Sequence, residues 1–307
     1  MGFADGYYYG QGRIICDTST FSVGDTIRVR SMTDSSKVWN QQVATVGTAL
    51  VFTVPPYDYY KICTVQTIND TPTEIGGVYK TVDYGQTIFI DILDLHSLQG
   101  IQGILNAHNE NDVLNIGDEV TIKINDGGTP KDWVMLIGGI NIYDSHEVIL
   151  VSKLATVTTC NGYNSGGYST SPMFSAMSTF YSNIDERDRQ FIKQKTINSG
   201  NANSVLDVVN AYVWIPTAFE SQGASGYGVP DVEKSGNNIQ FPIFTTQANR
   251  VKSTTNVGSG VRWWLASKSK AGNANYDCSI DIYGDGSHSI YSATEHLVPC
   301  FHLVADS

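Results

Sequence analysis

Five cysteines are the first candidates for chemistry: Cys16, Cys63, Cys160, Cys278 and Cys300. An odd, widely spread set does not describe a disulfide framework, and no Cys-x-x-Cys or Cys/His group has zinc spacing. Buried structural thiols are expected instead. Cys278 and Cys300 are the pair that thiol chemistry would use. Cys300, however, lies inside the apolar ending Val298-Pro-Cys-Phe-His-Leu303, where a small buried thiol fits. Neither has a lysine or arginine close by to favour a thiolate, although His302 follows Cys300 by two residues. Glycoside hydrolysis would need two carboxylates flanking a cleft. The best lone acid is Glu220, and a side chain that caps loop amides is the expectation for it. No Gly-x-Ser-x-Gly elbow is present. Asp277, Asp281 and Asp285, with nearby serine and asparagine oxygens, are the one set that could surround a Ca²⁺. Their spacing is not that of an EF-hand loop, and Asp-Gly more often marks a turn. No other cofactor is expected.

A binding surface has a stronger signal than a reactive one. Of the 28 residues from 267 to 294, 17 are Ser, Asn, Tyr, Asp or Gly. That palette resembles an antibody paratope, in which tyrosine supplies rigid amphipathic area and the small polar residues supply adaptable hydrogen bonds. Apolar anchors flank it, Trp263-Trp264-Leu265 before and Leu297-Val298 after. Polar display between buried strands is how rigid scaffolds carry functional loops. The expected contact residues are Trp264, Ser267, Lys268, Asn273, Asn275, Tyr276, Asp277, Ser279, Asp281, Tyr283, Asp285, Ser287, His288, Ser289, Tyr291 and Ser292. Residues 271–294 also contain no Lys, Gln, Glu, Met or Trp. Those are the types that randomising the adenines of an asparagine codon cannot produce, so the stretch is compatible with a diversified variable region.

The elements that must hold this window read as mostly β, or α+β. Residues 1–22, with Tyr7-Tyr8-Tyr9, suggest an extended arm or first strand. Residues 23–92 carry short alternating strands with regular turn signals, the pattern of a small immunoglobulin-like β-sandwich. Asp94 to His108 switches to helical spacing, with Asp94 as N-cap, and forms a linking helix within 93–115 that opens the second domain. Residues 116–307 form that domain. Strands are expected at 116–124, 133–137, 147–152, 212–216, 261–265, 279–283 and 298–304, with helices at 171–181 and 184–195. The net charge is −11 and charged residues are only 16% of the chain, against about 25% in an ordinary domain. This excludes a coiled coil and argues against nucleic acid, which needs Lys/Arg clusters. The N-terminus has no basic and apolar regions of a signal peptide. No apolar run approaches the roughly 20 residues of a membrane-spanning helix.

Several motifs carry a family resemblance. They are Trp214-Ile-Pro-Thr-Ala-Phe-Glu220, Phe241-Pro-Ile-Phe-Thr245, Arg262-Trp-Trp-Leu-Ala-Ser267, Gly284-Asp-Gly286 and Val298-Pro-Cys-Phe-His-Leu303, with Gly117-Asp118 and Gly166-Gly-Tyr168. Together, over about 94–307, they resemble phage and prophage proteins of gut bacteria. The domain of those proteins looks like a C-type-lectin-like fold of the formylglycine-generating-enzyme type, as in the major tropism determinant of phages with a diversity-generating retroelement. The resemblance implies a C-terminal C-type-lectin-like scaffold whose loops bind a ligand. It also implies a receptor-binding protein of a phage tail fibre, a homotrimer attached to other tail or baseplate proteins, located in the virion. Its partner would be a bacterial surface protein or glycan, and no catalysis is implied. A tail-associated depolymerase and a purely structural fibre protein are the alternatives.

Overall fold

Alternation at period two makes the first half of the chain a pair of packed sheets. A computed structural model describes residues 11–306 except 19–20, 22, 46, 69–70, 92–96, 107, 109, 127, 163–165, 202–204, 236–237 and 271–274. It divides into two compact units, Met1–Val113 and Leu114–Ser307. In the first, β1 (Gly12–Asp17), β2 (Thr26–Ser31), β3 (Val38–Gln42), β4 (Leu50–Val54), β5 (Asp58–Ile68), β6 (Thr71–Val82) and β7 (Thr87–Asp91) form two sheets, ordered β4-β1-β7 and β3-β2-β5-β6. Ile14, Cys16, Ile27, Val29, Phe52, Val54, Tyr60, Ile62 and Val82 interlock between them as one core. The expected sandwich is therefore present, with one correction. Residues from Gly12 onward are not an arm, because β1 is the central strand of the first sheet, antiparallel to β4 and parallel to β7. The tyrosine run at 7–9 lies outside the described residues.

The linking helix is shorter than its spacing suggests and belongs to the first unit. Helix α1 (Leu98–Asn106) begins after Ser97, whose Oγ accepts the Gly100 amide at 3.0 Å. Ser97 thus takes the capping role expected of Asp94, a residue outside those described. Leu98, Ile101, Ile104 and Leu105 are buried. His108 ends the stretch at φ +57° and is exposed. A single further turn, α2 (Glu110–Val113), closes the unit.

The second unit is built on β8 (Glu119–Asp126), β9 (Thr129–Ile140), β10 (Glu147–Ser152) and a C-terminal strand. A two-residue strand β11 (Cys160–Asn161) and helices α3 (Pro172–Asn183) and α4 (Glu186–Arg189) follow. Next come β12 (Lys195–Gly200) and β13 (Leu206–Ala211), then α5 (Ala218–Gln222), α6 (Asp231–Ser235) and α7 (Gln247–Arg250). The unit closes with β14 (Trp263–Lys268), β15 (Tyr276–Ile280), β16 (Gly286–Ile290), β17 (Thr294–Glu295) and β18 (Cys300–Val304). The main sheet is ordered β18-β10-β9-β8. Every residue of β10 is buried, as expected of a continuous Val-Ile-Leu-Val run covered on both faces. Ser171 caps α3 and Pro172 takes its first position.

Three expected elements differ. The strand expected at 279–283 begins earlier and stops at Ile280, because the Gly284 amide donates to the Asp281 carbonyl at 3.1 Å and closes a turn over 281–284. The charged helix at 184–195 is one turn long, because Ile184 bridges to Ile124 and Lys193 bridges to His302, pulling the flanks into extended backbone. The expected strand at 212–216 is a single bridge, in which Trp214 and Cys300 exchange backbone hydrogen bonds of 2.9 and 2.8 Å. Among the described residues no helix is long and apolar enough to cross a membrane.

One buried cation shows how tightly this unit is packed. Lys252 is 3% exposed; its Nζ donates to the Ser152 carbonyl at 3.0 Å and lies 5.6 Å from the Phe244 ring. Burial lowers its ammonium to about 8. Between that value and the 10.5 of an ordinary lysine, the unfolded chain binds the proton that the folded chain has released, so stability rises with pH. Lys252→Met is expected to raise stability by about 1–2 kcal/mol at pH 7. It should also abolish that rise above pH 8, read as denaturant midpoints across the pH range.

Candidate binding surface

Over its described residues, the window from 267 to 294 is a strand-and-hairpin structure rather than a set of loops. β14, β15 and β16 form an antiparallel sheet in that order. The register pairs Cys278 with His288, Tyr276 with Ile290, Asp277 with Ser289 and Ser279 with Ser287. Side chains alternate across the sheet, so Tyr276, Cys278, His288 and Ile290 share one face. Asp277, Ser279, Ser287 and Ser289 share the other.

The second face is closed by a polar layer beneath the surface. Lys268 Nζ lies 2.8 Å from Asp277 Oδ1, both nearly fully buried, and 5.8 Å from the centre of the Tyr291 ring. Trp264 Nε1 donates to the Cys160 carbonyl at 2.8 Å. Gly162 packs so closely that a Cβ there would stand 1.9 Å from Asp277 Oδ2. Only glycine lets the 160–162 backbone approach this near. Arg262 donates to Ser289 Oγ at 3.1 Å, and Ser289 donates to Glu295 at 2.9 Å. Ser267 Oγ points into the protein, donating to Glu233 at 2.5 Å and accepting the Ala218 amide at 2.8 Å. Trp264, Ser267, Lys268, Asp277, Ser279 and Ser289 were expected to face a partner and are buried instead. The polar window conceals this because β14 and β15 are covered on both sides.

The first face is where aromatic surface emerges. The Tyr227 ring stacks on His288 at 5.5 Å and 14°, and Tyr276 meets His288 edge-on at 4.8 Å. His288 Nδ1 is covered and has no hydrogen-bond partner among the described residues, and the two tyrosines flank the ring. Tyr227 and Ile290 are about half exposed. Tyr227 comes from the Ser225-Gly-Tyr-Gly228 loop, far away in sequence. No local pattern marks it; the Gly228 carbonyl accepts the Cys278 thiol at 3.5 Å and brings the loop over β15.

The hairpin tip is braced from below. Asp281 Oδ1 accepts the amides of Tyr283 and Asp285 at 2.9 and 3.0 Å. Gln247 donates to Asp285 Oδ1 at 2.8 Å, and Arg250 donates to the Gly284 carbonyl at 2.8 Å. Gly284 turns at φ +84°, where a side chain is strained. Tyr283, 69% exposed, and Ile282 project from this tip. Asn275, Asp285 and Ser292 are exposed; Tyr276, Asp281, Ser287, His288 and Tyr291 are half-buried; Asn273 lies outside the described residues. The Ca²⁺ set does not assemble. Asp277 pairs with Lys268, Asp281 holds turn amides and Asp285 holds Gln247. Among the described residues no three His, Cys, Asp or Glu side chains come together as a metal site.

The groups considered for catalysis are committed to the fold. Glu220 is 2% exposed and closes a capping box with Thr217, accepting the Thr217 amide at 2.9 Å while its own amide donates to Thr217 Oγ1 at 3.1 Å. It also accepts from Tyr143 Oη at 2.9 Å and Trp214 Nε1 at 3.4 Å. Burial raises its pKa, opposed by those hydrogen bonds. All five cysteines are free. Burial pushes the Cys278 and Cys300 thiols well above their ordinary range, and the Cys300 thiol donates to the Trp214 carbonyl at 3.2 Å.

The main sheet holds a second buried polar group. Glu147 is fully buried; Oε1 receives Lys195 Nζ at 3.1 Å and His302 Nδ1 at 2.7 Å, and Oε2 receives the Tyr143 and Asp144 amides at 3.1 and 3.2 Å. The Lys195 ammonium sits 3.8 Å from the centre of the Tyr143 ring.

No family model matches the chain, and no curated protein does. Among solved structures, a fimbrial protein from Bacteroides ovatus ATCC 8483 is similar at 7% identity, covering 96% of this chain and 71% of that one with a TM-score of 0.26.

Proposed function

We propose that this chain is a receptor-binding protein of a phage tail fibre, and that the surface at Tyr227, Tyr276, Tyr283 and His288 holds a bacterial surface protein or glycan. The observation that supports this is the division of labour in β14–β16. Beneath the sheet Lys268 pairs with Asp277, and Arg262, Ser289 and Glu295 are linked by hydrogen bonds, while aromatic rings from two separate segments meet at its surface. Rigid aromatic contacts are where binding energy concentrates, and a braced hairpin presents them at low entropic cost. The tail-fibre context rests on the motifs of 94–307. In that context the protein works as a homotrimer joined to other tail or baseplate proteins, and light scattering at micromolar concentration tests the trimer.

Adsorption of the purified protein to a panel of bacterial strains tests the surface. Tyr227→Ala, Tyr276→Ala and Tyr283→Ala are each expected to weaken adsorption by about tenfold or more. Tyr212→Ala, at an exposed ring stacked 4.6 Å from Tyr181, is expected to leave it unchanged. Intact adsorption in all three variants would favour a structural fibre protein. Release of soluble sugar from host polysaccharide would favour a depolymerase.

A further inference from the structure

The N-terminal sandwich carries an aromatic feature that its own packing does not require. Tyr57, between β4 and β5, is 74% exposed, and Tyr84, between β6 and β7, is 55% exposed. Their rings lie 6.4 Å apart with planes 24° from parallel. Tyr57 stands at φ +61°, a left-handed conformation that costs a residue with a bulky side chain and suits glycine or asparagine. The turn needs that backbone, because the Tyr57 amide donates to the Val82 carbonyl at 2.7 Å. It does not need a tyrosine, whose ring lies largely in solvent.

The opposite loop is fixed as well. The Gln86 amide donates to the Asp83 carbonyl at 3.1 Å, the Gln86 side-chain oxygen accepts the Asp83 amide at 2.8 Å, and Gly85 turns at φ +67°. Two loops, joined by the Tyr57–Val82 bond and the second braced again by Gln86, thus hold two near-parallel rings side by side. At 6.4 Å between centres the rings are offset rather than fully overlapped, which leaves apolar face open on both.

We propose that Tyr57 and Tyr84 form a platform for a neutral saccharide chain. A pyranose offers a flat C–H face and a rim of hydroxyls, which match a phenol's apolar body and polar tip. The net charge of −11 and the exposed Asp83 beside Tyr84 disfavour phosphorylated, sulfated or uronic polymers. A proline-rich peptide docks in a groove between aromatic side chains, whereas near-parallel rings present a surface.

The test titrates the full chain with hexasaccharides of glucose, N-acetylglucosamine and mannose, followed by calorimetry. At least one is expected to bind. Tyr84→Ala and Tyr57→Gly are each expected to weaken that binding by about tenfold or more, and Tyr212→Ala to leave it unchanged. Tyr57→Gly relieves the strained backbone and is expected not to lower the thermal midpoint. Tyr57→Asn, which tolerates the same φ, should lose binding equally. The proposal is overturned if none of the three sugars binds, if both ring deletions keep full affinity, or if a polyproline peptide binds and the sugars do not. A fall in midpoint for Tyr57→Gly would also overturn it, by making the ring a packing residue.

Discussion

Glu147→Ala is expected to destabilise the C-terminal unit by about 3–5 kcal/mol, the range for breaking a buried ionic group by removing one partner. Glu147 accepts from four donors at once: Lys195, His302 and the two amides of the 143–144 loop. Alanine leaves the Lys195 ammonium buried without its counter-charge, and leaves two amides facing a void. The unfolding midpoint should fall without a change in denaturant slope. Tryptophan fluorescence is the suitable probe, since Trp214, Trp263 and Trp264 are all fully buried in this unit. A loss under about 1 kcal/mol would show the group to be dispensable.

The pH dependence carries a sign of its own. Burial alone would raise the Glu147 carboxyl, but the His302 hydrogen bond and the Lys195 charge outweigh it and hold the pKa below the ordinary 4.5. A depressed acid contributes stability that is complete above 4.5 and is lost as pH falls through the folded value. Acid unfolding of the native chain should therefore steepen below pH 4.5, and Glu147→Gln should flatten that limb.

Glu233 behaves in the opposite sense. Burial drives its carboxyl up to about 7, against hydrogen bonds from Ser267, the Gly200 amide and the Phe219 amide. A raised acid gives stability that is full below 4.5 and is lost as pH rises through about 7, because the unfolded chain ionises first. A shift from 4.5 to about 7 corresponds to about 3 kcal/mol across that interval. Glu233→Gln should erase this slope, yet it is not a neutral change. Gly200 N–H donates to Oε1 at 2.6 Å and Phe219 N–H donates to Oε2 at 3.1 Å. Whichever end the amide nitrogen takes, it meets a backbone N–H and leaves that donor unsatisfied. The expected cost is about 1–3 kcal/mol at pH 5, shrinking towards zero by pH 8, where the native chain carries the buried charge. Stability measured from pH 4 to 9 decides it; an unchanged slope in the variant would assign the titration to another group.

The sandwich, the α3 start and the buried β10 strand were legible because each has a local cause: period-two alternation, Ser171-Pro172, and an unbroken apolar run. The one-turn α4 was not legible, since its extended flanks come from bridges to residues more than fifty positions away. The same limit governs the binding surface. Composition located the hairpin, and the capping expected of Glu220 is what the Thr217 box shows. Composition did not separate outward serines from inward ones, because Ser267 and Ser287 look alike until Glu233 and β15 are in place. Tyr227 and Glu233 lie in stretches with no special pattern, and only tertiary contact brings them to the hairpin.

The covering of β15 on both faces also sets where heritable variation can accumulate. Asp277 and Ser279 are fully buried, so larger side chains there find no room, and any side chain at position 162 collides with Asp277. Changes at Tyr283, Asp285, Ile290 or Ser292 meet chiefly solvent. A combinatorial library confined to the hairpin tip and the outer side of β16 should keep most members folded, whereas one that includes β15 should lose most of them. The sheet thereby separates inherited architecture from the positions at which a new partner can be acquired.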